Sequence, residues 1–156
     1  MASKRGAITL SDAEIAAFLK DHPTVIVATN GPRGLPHVMP LWFVVRGDEV
    51  WGWTFTKSQK TKNLERDPRA TLLFEDGVTY DKLRGVSYEC DVTLDEDHDV
   101  VRSVGIELFT KYGDGNHPAE PVIAMIEQQA PKRMALRFTP TRTISWDHRK
   151  LGGAYR

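Results

Sequence analysis

The sequence predicts a mostly β domain with peripheral helices, arranged as a small antiparallel barrel. From residue 24 onward, apolar and polar residues alternate with a period of two in several short segments. Gly, Pro and Asp residues mark turns between these segments. Few segments show helical spacing, and the helices would cover the open ends of such a barrel.

Composition restricts the classes of function. The chain has 156 residues, which fits one domain spanning 1–156. Lys plus Arg and Asp plus Glu each number 21, so the formal charge is zero. A general binder of nucleic acid or of an anionic membrane needs an excess of positive charge, so we expect neither partner. Hydrophobic residues make up 40% of the chain, which is enough for a packed core.

Cysteine content and hydropathy indicate the cellular compartment of the protein. Cys90 is the only cysteine, which excludes a disulfide within the chain. The basic N-terminus is not followed by an apolar stretch long enough for a signal peptide. No segment approaches the ~20 apolar residues that a membrane span needs. We therefore expect a cytoplasmic domain in which Cys90 is a small core residue.

The first element is a helix within residues 11–23. Ser11 can cap it, and Glu14 three residues later completes the capping-box pattern. The apolar stripe at helical spacing comprises Ile15, Phe18 and Leu19. Pro23 ends the segment.

The strands follow from the period of two. We expect them at 24–30, 35–46, 49–56, 69–75, 85–94, 132–140 and 141–147. Gly47 and Asp48 form a hairpin signal between the second and third strands. Pro36 and Pro40 mark the second strand as an edge or as a ligand-facing break. The alternation is clearest at 85–94, where one face carries Val86, Tyr88, Cys90, Val92 and Leu94.

Three further helices are predicted between the strands. A short polar helix at 59–67 is closed by Pro68, and a longer amphipathic helix spans 95–112. A short helix is expected at 122–130. The chain ends in a polar tail, 148–156.

The junction before the short polar helix, residues 57–63, gathers groups that bind anions. A helix N-terminus has unpaired backbone N–H groups and partial positive charge, which favours phosphate. Ser58 is the expected cap, with Lys60 and Thr61 in the first turn. Lys60 and Asn63 share a face of the helix, and Lys57 ends the preceding strand. These five side chains form a candidate phosphate cradle.

A solvated, lysine-rich turn is the alternative interpretation of this junction. Three tryptophans lie close by in sequence, at positions 42, 51 and 53, on neighbouring predicted strands. Aromatic side chains at such positions are more often core residues than cofactor contacts. An apolar wall beside an anion cradle would nevertheless suit a flavin-like ligand.

Residues 24–75 resemble the core of the flavin-binding split β-barrel family that includes pyridoxamine 5'-phosphate oxidase. The resemblance rests on an Ala-Thr step at 28–29, on GLPHVMPLW at 34–42 and on KTKNLERDPRA at 60–70. It extends over about residues 10–95 and, more loosely, to SWDHRKL at 145–151. The nearest branch is the actinobacterial one that uses the deazaflavin coenzyme F-420, with FMN as the alternative cofactor.

The resemblance implies a split β-barrel that forms a homodimer with two cofactors in clefts between subunits. The phosphate would contact Lys60 and Asn63, with Lys57, Ser58 and Thr61 nearby. Side-chain and backbone groups along the ring would come from His37, Val38, Met39, Pro40 and Trp42. The partner subunit would close the cleft with Trp146 and its basic neighbours His148, Arg149 and Lys150. Extra cations for the oligoglutamate tail of coenzyme F-420 would come from Arg33, Lys57 and Lys62.

The family resemblance implies hydride transfer between the cofactor ring and a small conjugated organic acceptor. The catalytic residues are unknown, and solvent, His37 and Tyr88 are candidates for the proton donor. The five histidines show no metal-ligand spacing, so no metal is expected. Two alternatives remain: a non-catalytic carrier of flavin, deazaflavin or haem, and a barrel that binds single-stranded nucleic acid.

Overall fold

The computed structural model describes residues 4–152, which form one seven-stranded antiparallel sheet and five helices. The strands are β1 Val25–Asn30, β2 Pro36–Leu41, β3 Val44–Arg46, β4 Glu49–Phe55, β5 Arg69–Asp76, β6 Arg84–Asp95 and β7 Arg133–Asp147. The helices are α1 Lys4–Ala7, α2 Asp12–Lys20, α3 Gln59–Arg66, α4 His98–Tyr112 and α5 Glu120–Gln129. The expected mostly β architecture with peripheral helices is confirmed.

The sheet curls because its two edges are neighbours in the chain. The strand order is β2-β1-β5-β6-β7-β4-β3, so β2 and β3 lie at opposite edges. Only Trp42 and Phe43 separate the end of β2 from the start of β3. The three Cα–Cα steps from Leu41 to Val44 span at most ~11 Å, so the edges must come together in a curled half-barrel.

Two hydrophobic cores lie on the two sides of this sheet. The core inside the curl includes Val27, Leu72, Phe74, Val86 and Phe138, all fully buried. The second core packs α4 and α5 against the outside of the sheet through Trp53, Val104, Leu108, Ile126 and Ala135. Each core removes large apolar side chains from water, which is the main favourable term in folding.

The first predicted helix and its cap are confirmed in α2. The Glu14 N–H donates to Ser11 Oγ at 3.3 Å, and the Ser11 N–H donates to Glu14 Oε2 at 2.7 Å. The predicted stripe is buried. The capping box was legible in the sequence because it is a local interaction within one turn.

Two strand predictions are wrong in extent. The single strand predicted at 35–46 is divided, because Trp42 and Phe43 carry the chain from β2 at one edge to β3 at the other. The edge position that Pro36 and Pro40 indicated for β2 is confirmed. The strands predicted at 132–140 and 141–147 are one continuous strand, β7. A register shift opposite Glu89 and Cys90 lets β7 bend without losing its pairing to β6.

The remaining elements match the predictions closely. The alternation in β6 is confirmed, with its apolar residues facing the core and Glu89 and Asp91 exposed. Helix α4 begins at His98 and not at 95, because Asp95 still pairs with Ala135 in the sheet. The last four residues of the predicted polar tail, 153–156, lie outside the described residues. Among the helices that are described, none has the length and apolar content to cross a bilayer.

Candidate cofactor-binding site

The N-terminus of α3 is built by a serine cap, as the sequence predicted. The Thr61 N–H donates to Ser58 Oγ at 3.2 Å, and Ser58 itself is half-buried. The Oγ atoms of Ser58 and Thr61 lie 3.1 Å apart. The N–H groups of Gln59 and Lys60 find no acceptor among the described residues, since the first turn of a helix lacks internal partners. This turn therefore presents free donors and partial positive charge.

Lys60 is the most unusual residue of the candidate site. It is only 6% exposed, yet its ammonium makes no hydrogen bond or ion pair within residues 4–152. Burial lowers the pKa of Lys60 from its ordinary value. Charged side chains are almost never buried without a partner, because desolvation costs several kcal/mol. An ammonium in this state favours an anion as its missing partner.

Thr61 and Asn63 are fully buried and attach α3 to its neighbours. Thr61 Oγ1 donates to the Phe55 carbonyl at 3.0 Å, which ties the helix to the end of β4. Asn63 Nδ2 donates to Thr29 Oγ1 at 3.0 Å, which ties it to β1. Because an amide nitrogen carries two hydrogens, Asn63 keeps one N–H beyond this bond. Phosphate contacts from Thr61 and Asn63 remain predictions.

The predicted ring-side strand, β2, presents most of its side chains to solvent. Val38, Met39 and Pro40 are exposed and pair with β1 only through the backbone. His37 lies opposite Thr29, the residue that accepts from Asn63. The Nδ1 atom of His37 is buried and has no hydrogen-bond partner in the described part of the chain. Thr29 thus connects the start of β2 with α3, although the sequence analysis did not single it out beyond the Ala-Thr step.

The three tryptophans differ in exposure. Trp42 is 45% exposed and stacks on Tyr112, with ring centroids 4.3 Å apart and an interplanar angle of 3°. Trp53 lies in the second core, in agreement with the interpretation of such aromatic residues as core residues. Trp51 is half-buried, with the Arg46 guanidinium 4.5 Å from its ring centroid. Only Trp42 remains as an exposed aromatic surface near β2.

Trp146 and Lys60 lie beside opposite ends of strand β7. Residue 133, at the start of β7, pairs with Phe55 just before α3, and Trp146 is near the other end of that strand. Trp146 packs instead against Gly85, where an added Cβ would lie 2.4 Å from the indole. A contact between the cofactor and Trp146 of a second subunit remains a prediction.

The basic residues after Trp146 all have internal partners. The His148 Nδ1 lies 2.8 Å from the Tyr80 carbonyl oxygen. The guanidinium of Arg149 contacts Asp147 at 2.6 Å, and Lys150 Nζ contacts Glu14 at 2.7 Å. By contrast, Lys57, Lys62 and Arg33, the cations expected at a cofactor tail, are exposed and have no ion pair among the described residues.

A large cleft lies away from the candidate site. It has a volume of about 940 Å³ and is lined by α2, α4 and the β3–β4 hairpin, without any predicted cofactor residue. A cleft of about 370 Å³ adjoins Thr29 and Pro36, next to the candidate site.

Burial shifts the pKa values of two further candidate residues, Cys90 and Tyr88. Burial raises the pKa of the Cys90 thiol to about 12, as expected of an inert core cysteine. Burial also raises the pKa of Tyr88, which lies against the inner core and not beside α3. In residues 4–152, no three His, Cys, Asp or Glu side chains converge on a point that could hold a metal.

The family described as pyridoxamine 5'-phosphate oxidase matches residues 11–147, and the chain belongs to it. No curated protein matches the sequence. A conserved hypothetical protein, Rv2991 from Mycobacterium tuberculosis, is 41% identical, with a TM-score of 0.89. That match covers 99% of this chain and 96% of the other.

Two more distant structures share the fold. An F420 reductase is 21% identical with a TM-score of 0.63, over 81% of this chain and 93% of that one. HutZ, a haem storage protein from Vibrio cholerae, is 16% identical with a TM-score of 0.67, over 86% of this chain and 94% of that one. At these identities the likeness concerns the fold alone, and the two printed functions show that one fold serves different functions.

Proposed function

We propose that the protein is an oxidoreductase that binds the deazaflavin coenzyme F-420, or alternatively FMN, at the N-terminus of α3. It would pass a hydride between the ring of this cofactor and a small conjugated organic acceptor. The observation that carries the proposal is the buried ammonium of Lys60, which has no anionic partner within residues 4–152. Family membership and the F420 reductase with the same fold support the choice of cofactor class.

The cofactor phosphate would lie against the first turn of α3. Lys60 would supply the charge, and the N–H groups of Gln59 and Lys60 would supply directional donors. Ser58 shapes the turn as its cap, and exposed Lys57 lies at its entrance. Asn63 would direct its remaining N–H toward the same phosphate. Thr61 positions the turn, since its hydroxyl proton is already donated to Phe55.

The cofactor ring would lie along β2. A flavin or deazaflavin supplies hydride chemistry when it is bound, and the protein supplies orientation. The exposed edge strand β2 offers backbone groups at Val38 and Met39 and the carbonyl of Pro40, and Trp42 offers an aromatic face. The buried, unpartnered Nδ1 of His37 suits a polar ring atom. Trp146 of a second copy would cover the opposite side of the ring.

The exposed cations favour coenzyme F-420 over FMN. Lys57, Lys62 and Arg33 lie near α3 and the β1–β2 turn and have no carboxylate partner in the described chain. An oligoglutamate tail would place carboxylates beside them, whereas FMN ends at its phosphate. Exposed pairs contribute only about 0–1 kcal/mol each. The expected preference for coenzyme F-420 is therefore modest and decreases with added salt.

A second candidate function is storage or transport of a cofactor without turnover. The free Nδ1 of His37 is a nitrogen that could ligate haem iron, and HutZ has the same fold. No side chain of the proposed cradle is an evident proton donor for catalysis. The measurement that distinguishes the two functions is the reoxidation of the bound, reduced cofactor by a panel of acceptors. If no acceptor reoxidises the bound cofactor faster than the free cofactor, storage or transport is favoured.

Titration of the purified protein with FMN, FAD and coenzyme F-420 tests the primary proposal. We expect low-micromolar binding of FMN or coenzyme F-420. Lys60→Ala should weaken it at least tenfold, about 1.4 kcal/mol. Lys82→Ala is the matched control, because Lys82 is an exposed lysine whose nearest carboxylate, Asp81, is 3.8 Å away. Equal affinity of Lys60→Ala and wild type would refute the cradle.

A further inference from the structure

A large cleft between α2 and α4 is separate from the proposed cofactor site. Its volume of about 940 Å³ is within the range of small-molecule pockets. Its apolar wall is aliphatic and comes from α2 and the β3–β4 hairpin, through Ile15, Leu19, Val44, Val45 and Val50. Lys111, in the last turn of α4, also lines it. The cleft therefore combines an apolar wall with one half-buried amino group.

The amino group of Lys111 is held in its charged form. Its Nζ lies 3.5 Å from the ring centroid of Phe43, which is fully buried, and 5.2 Å from that of Tyr112. Because the face of an aromatic ring carries partial negative charge, both contacts favour the ammonium. Burial lowers the pKa of Lys111 to about 8, which still leaves most molecules charged at pH 7.

This ammonium lacks an anionic partner in the described chain. Lys111 makes no hydrogen bond or ion pair within residues 4–152, and Asp21 attracts it without reaching ion-pair distance. The aromatic rings attract the charge but offer no lone pairs to its three N–H groups. A partly desolvated cation with unused donors favours a ligand that carries a negative charge.

The other charged groups of the cleft favour a ligand with a single negative charge. Glu107 is occupied by Arg46, with Nη2 and Oε1 2.6 Å apart. Asp12 and Asp48 also line the cleft, where they are exposed and would repel a dianion such as a phosphate. Lys20, the second lysine of the lining, is exposed on α2 and remains solvated. One ammonium beside an aliphatic wall therefore matches a monoanion with an apolar body.

We propose that this cleft is a second ligand site, which binds a monocarboxylate with an apolar body. The carboxylate accepts hydrogen bonds from the ammonium of Lys111, and the apolar body covers the aliphatic wall. Charge-assisted hydrogen bonds are stronger than neutral ones and fix the orientation of the ligand. Burial of the apolar body supplies affinity in proportion to the area removed from water. Neither interaction uses a residue of the cofactor site at α3.

Isothermal titration with octanoate and with octanol tests the proposal on the wild-type protein. The two probes share an apolar chain, and only octanoate carries a charge. We expect octanoate to bind at least about tenfold more tightly than octanol, as a hydrogen bond to a charged group implies. In Lys111→Met this preference should disappear, since methionine lacks the charge. Lys111→Arg keeps a cation beside Phe43 and should retain the preference.

Two control variants locate the bound carboxylate. Lys20→Met removes the solvated lysine of the same cleft, and Lys60→Met removes the cation of the proposed cofactor site. Both should retain the preference for octanoate. Equal affinity of the wild type for the two probes would overturn the proposal. So would a preference that persists in Lys111→Met or disappears in Lys60→Met. These results do not depend on whether a flavin-type cofactor binds at α3.

Discussion

Lys60 and Asn63 are both buried on α3, but they differ in whether their polar atoms have partners. Asn63 donates to Thr29 and accepts from Gln59 Nε2 at 2.8 Å, whereas the Lys60 ammonium has no partner in the described chain. In the cofactor-free protein, Asn63 therefore contributes to stability and Lys60 opposes it. Residues retained for binding are often costly to the free fold.

Lys60→Met should separate stability from binding. Methionine fills a similar volume without a charge, so we expect the cofactor-free protein to gain roughly 0.5–2 kcal/mol in free energy of unfolding. Cofactor affinity should fall at least about tenfold in the same variant. Urea unfolding and cofactor titration measure the two effects. Loss of stability in Lys60→Met would mean that the ammonium has a structural role.

Asn63→Ala should weaken the attachment of α3 to β1. Thr29 and Gln59 would lose their partner, and a buried polar group left unsatisfied costs about 1–3 kcal/mol. Gln128→Ala, on an exposed amide of α5, is the control and should change stability by less than about 0.5 kcal/mol. Equal unfolding midpoints for both variants would contradict the bonding described for Asn63.

Asp147 should make part of the stability pH-dependent. Its carboxylate is buried and accepts hydrogen bonds from Arg149, which lowers its pKa below the ordinary value. Because the folded pKa is lowered, this contribution is complete above about pH 5 and is lost as the pH falls through the folded pKa. Melting temperatures of wild type and Asp147→Asn should differ most at pH 7 and converge below pH 4. A constant difference would argue against this assignment.

At the scale of elements, features that depend on local interactions could be predicted from the sequence, whereas features that depend on long-range packing could not. The caps at Ser11 and Ser58 were predicted because each involves one turn of chain. The division between β2 and β3 was missed because it depends on which sheet edge each strand occupies. The elements that cover Trp53 could not be predicted for a similar reason: both faces of β4 are covered, and alternation alone does not say which elements lie on each face.

Helix α4 can approach β4 closely because residue 105 is glycine. A Cβ at this position would lie 2.7 Å from the Trp53 ring and 2.9 Å from Ile126. We therefore expect Gly105→Ala to reduce the free energy of unfolding by about 1–3 kcal/mol, although alanine favours helices. Gly6→Ala is the control, since an added Cβ there meets nothing within 4 Å. A neutral Gly105→Ala would show that α4 can move away without cost.

At the scale of the whole molecule, the exposed edge strand indicates a partner. β2 pairs only with β1 in the described sheet, and the exposed fractions of Val38 and Met39 on it are 50% and 47%. An uncovered apolar edge is a site for pairing with another chain. The family resemblance predicted a homodimer with cofactor sites between the subunits. Dimerisation itself remains a prediction.

Met39→Lys should disrupt the proposed dimer. A charge on the edge strand would be buried between two subunits, which costs several kcal/mol unless it is paired. Light scattering should give twice the chain mass for wild type and the chain mass for the variant, and cofactor binding should weaken in parallel. Lys82→Ala should remain dimeric. A wild-type protein that is monomeric at micromolar concentration would contradict the two-subunit site.

The central claim is that Lys60 and the first turn of α3 hold the phosphate of a planar redox cofactor. A crystal structure with coenzyme F-420 or FMN tests it most directly. We predict a phosphate oxygen within about 3.2 Å of Lys60 Nζ and of a first-turn N–H of α3. Phosphorus density remote from Lys60, for example in the cleft between α2 and α4, would contradict the claim.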